Sequence, residues 1–453
     1  MTPGGPETAR LRRAAARILA AGLQAADPTV LVARNLELRA NVLKVAGRRH
    51  RLGRGRLVMV AAGKAAGAMA RAAERILGGR LDAVIAVASA PGPPLGFGPL
   101  RVAGHPIPDA RGAAATEEIE ALARGLDRRD LLLVLLSGGA SALLPAPAAG
   151  ISLEDKASVT ASLLRAGATI AELNGVRKHL SRVKGGGLAA AAAPARVECL
   201  ALSDVIGDDP ATIGSGPTAP DPTTFAEALG VLRARGVLSS APAAVRRRLE
   251  AGARGELPET PKPSDPLFRR VTTSVIGSNR LSIEAAARAA RGEGFAVRVL
   301  TTCLAGEARE VARVLVSILH QAATTGDRDR PAVCLLAGGE TTVTVRGAGH
   351  GGRNQELVLA AAESLRGFPA PAVVASLATD GVDGHSDAAG GVADPWSHAR
   401  GQALGLPPIA DFLERNDSNA YLGCLGDLIL TGPTGTNVMD LTILLAGRRF
   451  PRL

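Results

Sequence analysis

The sequence predicts an α/β protein with two domains, each a mostly parallel sheet flanked by helices. Two runs, LVMVAA at 57–62 and LLLVLL at 131–136, are continuously apolar, which is typical of strands buried on both faces of a parallel sheet. Helical stretches with apolar stripes separate such runs, as in strand–helix–strand units. At 453 residues, the chain is too long for one typical hydrophobic core. We therefore predict an N-terminal domain over residues 1–245, a linker over 251–266 and a C-terminal domain over 267–453.

The composition favours a cytoplasmic protein without a membrane or nucleic-acid partner. No apolar run reaches the ~18 residues of a membrane span. The four cysteines are scattered, which favours reduced thiols over a disulfide framework or a zinc site. The net charge of +11 is spread along the chain, and aromatic residues, which would stack on bases, make up only 2%.

Lysines are scarce in this chain. Of its 53 basic residues six are lysines, which leaves 47 arginines. A lysine that persists against such a bias is a candidate for a site that needs a compact point charge. Lys64, Lys178 and Lys184 lie in glycine-flanked or polar segments.

Polar glycine turns follow the first strong strands. The run at 57–62 leads into Gly63 and Lys64 and then a helix, an arrangement that binds anions at a helix N-terminus. An ordinary surface lysine is the alternative. The run at 131–136 ends in a turn that we interpret as ligand-binding, because ligands of open α/β sheets gather at the carboxyl ends of strands. Its binding candidates are Ser137, Gly138, Gly139 and Ser141.

The segment 174–187, NGVRKHLSRVKGGG, predicts a helix with one apolar and one basic face. Cations that share a helix face repel unless an anion lies opposite. We expect this face and the glycines after it to bind phosphate or carboxylate, with a solvated basic surface as the alternative. The candidates are Asn174, Arg177, Lys178, Lys184, Gly185 and Gly186.

The strand at 197–202 precedes Ser203, Asp204 and Asp208, a pattern that indicates Mg²⁺ binding or a helix N-cap. A second glycine-rich turn follows, with binding candidates at Gly214, Ser215 and Gly216.

The C-terminal half repeats the pattern of strands that end in polar turns. We predict strands at 333–337, 341–345 and 373–378. The segment GAGHGG at 347–352 fits the dinucleotide fingerprint G-x-G-x-x-G only weakly, because an alternating strand precedes it and no acid follows about 20 residues on. Aspartates at 380 and 383 suit Mg²⁺, substrate hydroxyls or a local turn. The binding candidates are Gly338, Gly339, Glu340, Thr341, Gly352, Arg353, Asn354, Gln355, Thr436 and Asn437.

Eight segments together resemble the MOFRL-type glycerate 2-kinase family. They are GKAAGAMA at 63–70, LLSGGASALLPAP at 135–147, NGVRKHLSRVKGGGLA at 174–189, LSDVIGDDPATIGSGPT at 202–218, GGETTVTV at 338–345, GGRNQE at 351–356, ATDGVDG at 378–384 and TGPTGTNVMDL at 431–441. They cover nearly the whole chain in the family's order, and the MOFRL region corresponds to about 331–440.

The resemblance implies ATP- and Mg²⁺-dependent phosphorylation of D-glycerate at its 2-hydroxyl. It also implies a Rossmann-like N-terminal domain and an active site in the cleft between two domains. By motif, Lys64 and Arg353 would neutralise the transferring phosphoryl group. Carboxylates that would hold Mg²⁺ or orient the hydroxyl are Asp204, Asp208, Asp380 and Asp383. The oligomeric state stays open, with a homodimer as one option.

Two other functions remain to be weighed. A hydroxypyruvate reductase would require a dinucleotide site, for which 347–352 is the only sequence signal. A non-catalytic protein that binds anions or nucleic acid would explain the positive charge and the glycine turns.

Overall fold

The computed structural model describes residues 5–325 and 331–447. It divides into two compact units. We call Pro28–Ile276 the N-terminal unit, and Met1–Asp27 together with Gly277–Leu453 the C-terminal unit. The outermost residues of the predicted domains, 1–4 and 448–453, lie outside the described residues, as does 326–330. No described helix is both long and apolar enough to cross a membrane.

The first helix belongs to the C-terminal unit. The N-terminal unit therefore begins at Pro28 and not at residue 1, where the predicted domain 1–245 begins. This helix is α1 (Gly5–Gln24). Its Leu11 and Ile18 lie in one apolar cluster with Ile283, Val373 and Ile443. The apolar stripe was visible in the sequence, but an amphipathic pattern does not say which sheet the stripe will cover.

Helices and strands alternate through the N-terminal unit. Its helices are α2 (Pro28–Asn35), α3 (Ala66–Leu77), α4 (Ala110–Arg124), α5 (Ala140–Leu143), α6 (Leu153–Arg165), α7 (Ile170–His179), α8 (Gly187–Ala192), α9 (Phe225–Ala234) and α10 (Ala243–Ala253). Its strands are β1 (Leu36–Arg39), β2 (Val42–Val45), β3 (Arg48–Arg51), β4 (Leu57–Ala62), β5 (Ala83–Ala88), β6 (Leu100–Val102), β7 (Leu131–Leu136), β8 (Arg196–Leu202) and β9 (Val271–Gly277). Short 3₁₀ helices are Gly78–Arg80, Ile213–Ser215 and Pro266–Arg270.

The main sheet of the N-terminal unit has the order β6-β5-β4-β7-β8-β9, and β6 to β8 run parallel. Every residue of β4 and of β7 is buried. Successive side chains of a strand point to opposite faces, so Met59 and Leu133 join one apolar cluster while Val60 and Val134 join another. The prediction of a parallel sheet is confirmed here, and the carboxyl ends of β4, β7 and β8 share one edge.

The C-terminal unit completes the chain. Its helices are α11 (Asn279–Gly292), α12 (Ala308–Thr324), α13 (Arg353–Ser364), α14 (Ser397–Ala403), α15 (Ile409–Glu414) and α16 (Ser418–Leu425). Its strands are β10 (Ala296–Leu304), β11 (Val333–Gly339), β12 (Ala372–Ala378), β13 (Gly390–Ala393), β14 (Leu428–Ile429) and β15 (Asp440–Ala446).

The sheet of the C-terminal unit is mixed, whereas a mostly parallel sheet was predicted. Its order is β10-β11-β15-β12-β13-β14, and only β10 and β11 pair in parallel. The last strand, β15, inserts antiparallel between β11 and β12. All of β15 is buried, and burial on both faces of a sheet does not fix the direction of a strand. The strand predicted at 341–345 does not form; only an isolated bridge joins Thr342 to Glu307.

Two further sequence predictions differ from the structure. The segment 251–266 is part of the N-terminal unit and not a linker, because Pro261 O accepts the Asp221 N–H at 2.9 Å and the Thr260 hydroxyl bonds the Asp221 carboxylate at 2.9 Å. The helix predicted through 174–184 ends at His179. Residues beyond it bond to the segment 146–148 instead, with Ala148 N donating to Leu180 O at 3.0 Å.

Replacing Leu11 by Ala will weaken the C-terminal unit, since a fully buried leucine is lost at a cost of about 2–5 kcal/mol. Hydrogen exchange by mass spectrometry should show faster exchange in β12 and β15 and unchanged exchange in β4 and β7. Replacing the exposed Arg13 of the same helix by Ala is the control. An equal increase in the exchange rate of β4 would contradict the assignment of α1 to the C-terminal unit.

Candidate functional site

The loops after β4 and β7 are bound to each other at the carboxyl edge of the N-terminal sheet. Lys64 N donates to Gly138 O at 2.8 Å, and Ala65 N donates to the Ser137 hydroxyl at 3.0 Å. Gly63 has φ +128°, and a Cβ there would lie 2.1 Å from the Ser137 Oγ. Glycine is therefore required for this approach, and it carries Lys64 to the start of α3.

Lys64, His105 and Asp204 surround the glycine pair 138–139. A Cβ on Gly138 would lie 2.2 Å from the Asp204 Oδ2, so this carboxylate lies directly against the backbone. A Cβ on Gly139, where φ is +86°, would lie 2.9 Å from the His105 ring and 3.5 Å from the Lys64 Cγ. Partial burial and the Lys64 charge lower the pKa of His105, which keeps its imidazole neutral near pH 7. His105 is not among the residues predicted for the site.

A second group of predicted residues is joined through Ser141. Lys184 is buried, and its Nζ donates to Ser141 O at 2.7 Å and to the Ser141 hydroxyl at 3.1 Å. The Ser141 and Ser215 hydroxyls lie 2.9 Å apart, and Ser215 Oγ donates to Asn174 Oδ1 at 3.2 Å. Residues from three separate segments thus meet beside the turn that contacts Lys64.

Three cations lie close together here: Lys156, Arg177 and Lys184, which we call the cation cluster. Burial is the main cause that lowers the pKa of each, and neighbouring positive charges add to it for the two lysines. The pKa of Lys156 falls to about 7. Within 5–325 and 331–447, no ion pair to a carboxylate is found for these three side chains. Placing an anion among them would restore the charged state that burial disfavours.

Lys156 was missed by the sequence analysis because α6 carries no glycine turn or polar motif. Its one signal was rarity, as one of six lysines beside 47 arginines. The side chain is buried and donates to the Pro145 carbonyl.

Lys178 does not belong to the cation cluster, although the sequence analysis named it as an anion-binding candidate in the same segment as Arg177 and Lys184. Its Nζ lies 3.3 Å from Asp221 Oδ1, and both side chains are buried. Burial opposes ionisation of Asp221, but hydrogen bonds from Thr223 and the charge of Lys178 lower the pKa of Asp221. Lys178 therefore has a structural counter-ion inside the unit.

The predicted glycine donors near the cation cluster have partners within the protein. Gly185 N donates to Ser215 O at 3.0 Å, Gly186 N to Gly216 O at 2.7 Å, and Gly216 N to Ile213 O at 2.9 Å. These three N–H groups are therefore bonded within the protein, although the three glycines were predicted to bind a ligand. Gly214, at φ +59°, packs beside Ala140 and sets the shape of the loop.

Ser203 and Asp208 belong to the turn after β8. The Ser203 hydroxyl is buried and donates to Val205 O at 3.2 Å. Asp208 N donates to the same carbonyl at 3.1 Å, and Asp208 has φ +56°. This turn carries the Asp204 carboxylate to Gly138.

In the C-terminal unit, Asp383 caps helix α13, whereas the sequence suggested Mg²⁺ binding, substrate hydroxyls or a local turn for this residue. Its buried carboxylate accepts Asn354 N at 3.1 Å and Gln355 N at 2.8 Å. It also accepts the side-chain amides of Asn354 at 3.1 Å and Gln355 at 3.0 Å. A Cβ on Gly352 would lie 2.4 Å from this carboxyl carbon, so glycine is needed at that position. Four N–H donors satisfy the carboxylate, which therefore caps the N-terminus of α13 from a distant segment, beside the N-cap residue Gly352.

Arg353 is held by acids of its own unit. It bonds Asp440 through Nε at 2.6 Å and Nη2 at 2.8 Å, and its Nη1 lies 3.2 Å from Glu340. Burial raises the pKa of Asp440 to about 6, and the bonds from Arg353 only partly offset it. Burial works against the charge of Arg353, but the hydrogen bonds to Asp440 raise its pKa and keep it ionised. Asp440 was absent from the predicted site, although it lies in the segment 431–441.

The remaining candidates of the C-terminal unit are placed as follows. Gly338 and Gly339 are the last residues of β11, paired with Leu441 and Asp440, and not a free turn. Glu340 N donates to Leu304 O at 2.8 Å, and Thr341 is buried beside it. The Thr436 hydroxyl donates to Ala26 O at 2.7 Å, Asn437 Oδ1 accepts Met439 N at 3.1 Å, and Asp380 Oδ1 accepts Val382 N at 3.2 Å.

Comparison with known proteins gives matches over most of the chain. A domain of unknown function (DUF4147) matches residues 14–250, and the MOFRL family matches residues 333–440. A glycerate 2-kinase of Pyrococcus horikoshii is 38% identical over 96% of this chain and 97% of its own. A putative hydroxypyruvate reductase of Agrobacterium vitis is 39% identical over 96% of this chain and 94% of its own. The solved structure of a glycerate kinase from Thermotoga maritima has a TM-score of 0.84 at 38% identity, covering 96% of this chain and 99% of that chain.

Lys156 makes the stability of the protein depend on pH. Its pKa in the folded protein, about 7, lies below the ordinary lysine value of 10.5. The unfolded chain therefore binds more protons between these values, and stability rises with pH across that window. Urea unfolding from pH 7 to 9 should show the wild type gaining about 2 kcal/mol relative to Lys156→Met. Lys44→Met, at an exposed lysine, should follow the wild type. Parallel profiles for wild type and Lys156→Met would contradict the buried-amine interpretation.

Proposed function

The chain belongs to the glycerate 2-kinase family, and from that premise we propose that it transfers the γ-phosphoryl group of ATP to the 2-hydroxyl of D-glycerate. The observation that carries the proposal is the cation cluster beside the Lys64 loop. Both ATP and glycerate are anions, and phosphoryl transfer depends mainly on positioning and on positive charge around the moving group.

Lys64 is the proposed charge on the transferring phosphoryl group. It begins the loop that the Ser137 turn holds in place, so its backbone position is fixed before substrate arrives. A preorganised charge costs no reorganisation during the reaction, which is the basis of electrostatic catalysis. Lys156, Arg177 and Lys184 would hold the anionic groups that do not react.

Asp204 is the carboxylate that we propose for Mg²⁺. No group of three or more His, Cys, Asp and Glu side chains in the described part of the chain is arranged to hold a metal. Magnesium does not require such a group, because it is commonly bound through one or two carboxylates together with substrate phosphates and water. When bound, the ion would neutralise nucleotide phosphate charge. Asp204 lies against Gly138, next to the Lys64 loop.

Arg353 stays a proposed catalytic residue, in a modified form. Its bond to the buried Asp440 fixes the guanidinium plane, while its second partner, Glu340, is about half exposed. Exposed ion pairs are weak, so an anionic substrate group can replace Glu340 at Nη1. We therefore propose that Arg353 supplies a positioned positive charge, and that its Nη1 can bind an anionic group of the substrate once Glu340 moves away.

Two alternatives are less well supported. For a hydroxypyruvate reductase, the segment 347–352 would have to follow a strand, but residues 343–352 contain no strand. Gly349 N instead donates to Arg415 O, and His350 N donates to the Asp417 carboxylate, each at 3.0 Å. For a nucleic-acid protein, the buried cation cluster is a poor match, since backbone phosphates are contacted at surfaces. Two buried free thiols, Cys199 and Cys334, support a reducing, cytoplasmic setting.

Incubation with D-glycerate and Mg-ATP, followed by phosphorus NMR, tests the reaction itself. We expect 2-phosphoglycerate as the product. A 3-phosphoglycerate product would overturn the proposed position of transfer, and the absence of phosphorylated product would overturn the kinase proposal. NADH oxidation with hydroxypyruvate in place of glycerate would support the reductase.

Lys64→Ala should lower kcat/KM for glycerate by a factor equivalent to about 2–4 kcal/mol, because a charge aimed at the transition state is lost. Steady-state kinetics with saturating ATP measure the effect. Lys44→Ala removes an exposed lysine of β2 and should retain wild-type kinetics. Near-wild-type activity of Lys64→Ala would remove Lys64 from the mechanism.

Asp204→Asn should raise the Mg²⁺ concentration for half-maximal rate at least ~10-fold, since a neutral amide is a poorer ligand for a hard cation. The rate is titrated with MgCl₂ at fixed ATP. Asp411→Asn, at an exposed residue of α15, is the control. A lower kcat with an unchanged Mg²⁺ dependence would assign Asp204 to orienting the hydroxyl.

A further inference from the structure

A cavity of about 580 Å³ opens at the amino edge of the N-terminal sheet, opposite to the Lys64 loop. It is lined by β3 and the residues that follow it to Gly55, by the turn before β7 and the first residue of that strand, by the first residue of β8, and by Arg270, which directly precedes β9. Eight of its 14 lining residues are arginines. We call this the arginine pocket, defined by Arg48, Arg49, Arg51, Arg54, Arg128, Arg129, Arg196 and Arg270.

Arginine is more frequent around this cavity than the composition of the chain explains. Arginine makes up 47 of 453 residues in the chain but 8 of 14 around this cavity. The arginines come from four separate segments, so their convergence results from the fold and not from one basic run. A bias spread evenly over the surface would not produce it.

The arginine pocket lacks the acids that would neutralise it. Its single lining carboxylate, Asp130, pairs with Arg56 at 3.0 Å and accepts backbone N–H groups from Arg56 and Asp127. Although burial opposes it, these bonds lower the pKa of Asp130, which is therefore committed to that pair. Over the ranges 5–325 and 331–447, none of the eight arginines forms an ion pair with a carboxylate.

Three of the guanidinium groups are close enough to disfavour each other's charge. Burial, together with the charges of Arg196 and Arg128, lowers the pKa of Arg270. Arg270 Nη2 donates to Arg128 O at 2.8 Å, which holds the side chain in place, while its buried Nε has no hydrogen-bond partner in the structure. Like charges held together in this way are stabilised when an anion enters between them.

We propose that the arginine pocket binds a small, multiply charged phosphate anion, at a site distinct from the candidate active site. Guanidinium groups bind phosphate oxygens through paired N–H donors, and several converging arginines fit a polyphosphate better than a single charge. The concave form suits a small ligand. No Phe, Tyr or Trp lines the pocket, so a nucleic acid would find little surface on which to stack its bases.

The ligand of this pocket is not the substrate at the Lys64 loop. The six residues of β7 separate the two edges by roughly 20 Å at about 3.3 Å per residue. The proposal rests on the pocket alone and stands or falls separately from the kinase activity.

Calorimetric titration with inorganic tripolyphosphate tests the proposal. The protein carries Lys64→Ala and Lys184→Met throughout, so that binding at the candidate active site is weakened. We expect one binding event that weakens as NaCl is raised. Adding Arg49→Ser, Arg128→Ser and Arg196→Ser should weaken it at least ~10-fold. The matched control, Arg288→Ser, Arg291→Ser and Arg298→Ser, removes three exposed arginines of the C-terminal unit and should leave it unchanged.

Three results would overturn the proposal. They are no binding of tripolyphosphate, equal binding by both triple variants, or tighter binding of a single-stranded oligonucleotide that only the pocket variant loses. Circular dichroism and kcat/KM, measured in chains with Lys64 and Lys184 intact, establish that the pocket variant is folded, and we expect its kcat/KM to stay within twofold of wild type. If it does not fold, Arg51→Ser with Arg54→Ser gives a second test at two exposed arginines.

Discussion

Burial of unneutralised positive charge is the constraint on which the candidate site depends. Lys156, Arg177 and Lys184 lose hydration in the N-terminal unit without gaining a carboxylate, and desolvating a charge is costly. Backbone carbonyls and hydroxyls offset part of that cost, as where Lys184 bonds Ser141. The rest remains as an attraction for anions. A bound phosphate or carboxylate would favour the charged forms that burial disfavours.

The parallel sheet explains why these charges meet the Lys64 loop. In a parallel sheet, the carboxyl ends of neighbouring strands share an edge, so the turns after β4, β7 and β8 converge. Gly63 and Gly139, both at positive φ, allow these turns to approach within distances that a side chain would block. The same topology leaves the amino ends of β7 and β8 at the opposite edge, where the arginine pocket lies.

Local patterns in the sequence predicted the parts of the protein that local physics determines. The unbroken apolar runs predicted β4 and β7, and the polar turns after strands marked Lys64, Ser141 and Asp204 as candidates at strand ends. Pairings between distant residues were not predictable. The antiparallel insertion of β15, the docking of α1 and the capping of α13 by Asp383 each depend on contacts that no periodicity encodes. Lys156 was missed for the same reason, since its neighbours come from other segments.

The presence of a carboxylate partner distinguishes the basic residues that stabilise the fold from those that are available to a ligand. Lys178 and Arg353 lie in motifs as suggestive as that of Lys184, yet the chain supplies Asp221 to the first and Asp440 to the second. The cation cluster receives no such acid, nor do the eight arginines at the other edge of the sheet, within the described residues. A basic residue in a sequence motif is therefore a weaker indication of a ligand site when the folded chain supplies it with a buried carboxylate, as for Lys178. Arg353 is the instructive intermediate, because one of its partners is buried and permanent and the other is exposed and replaceable.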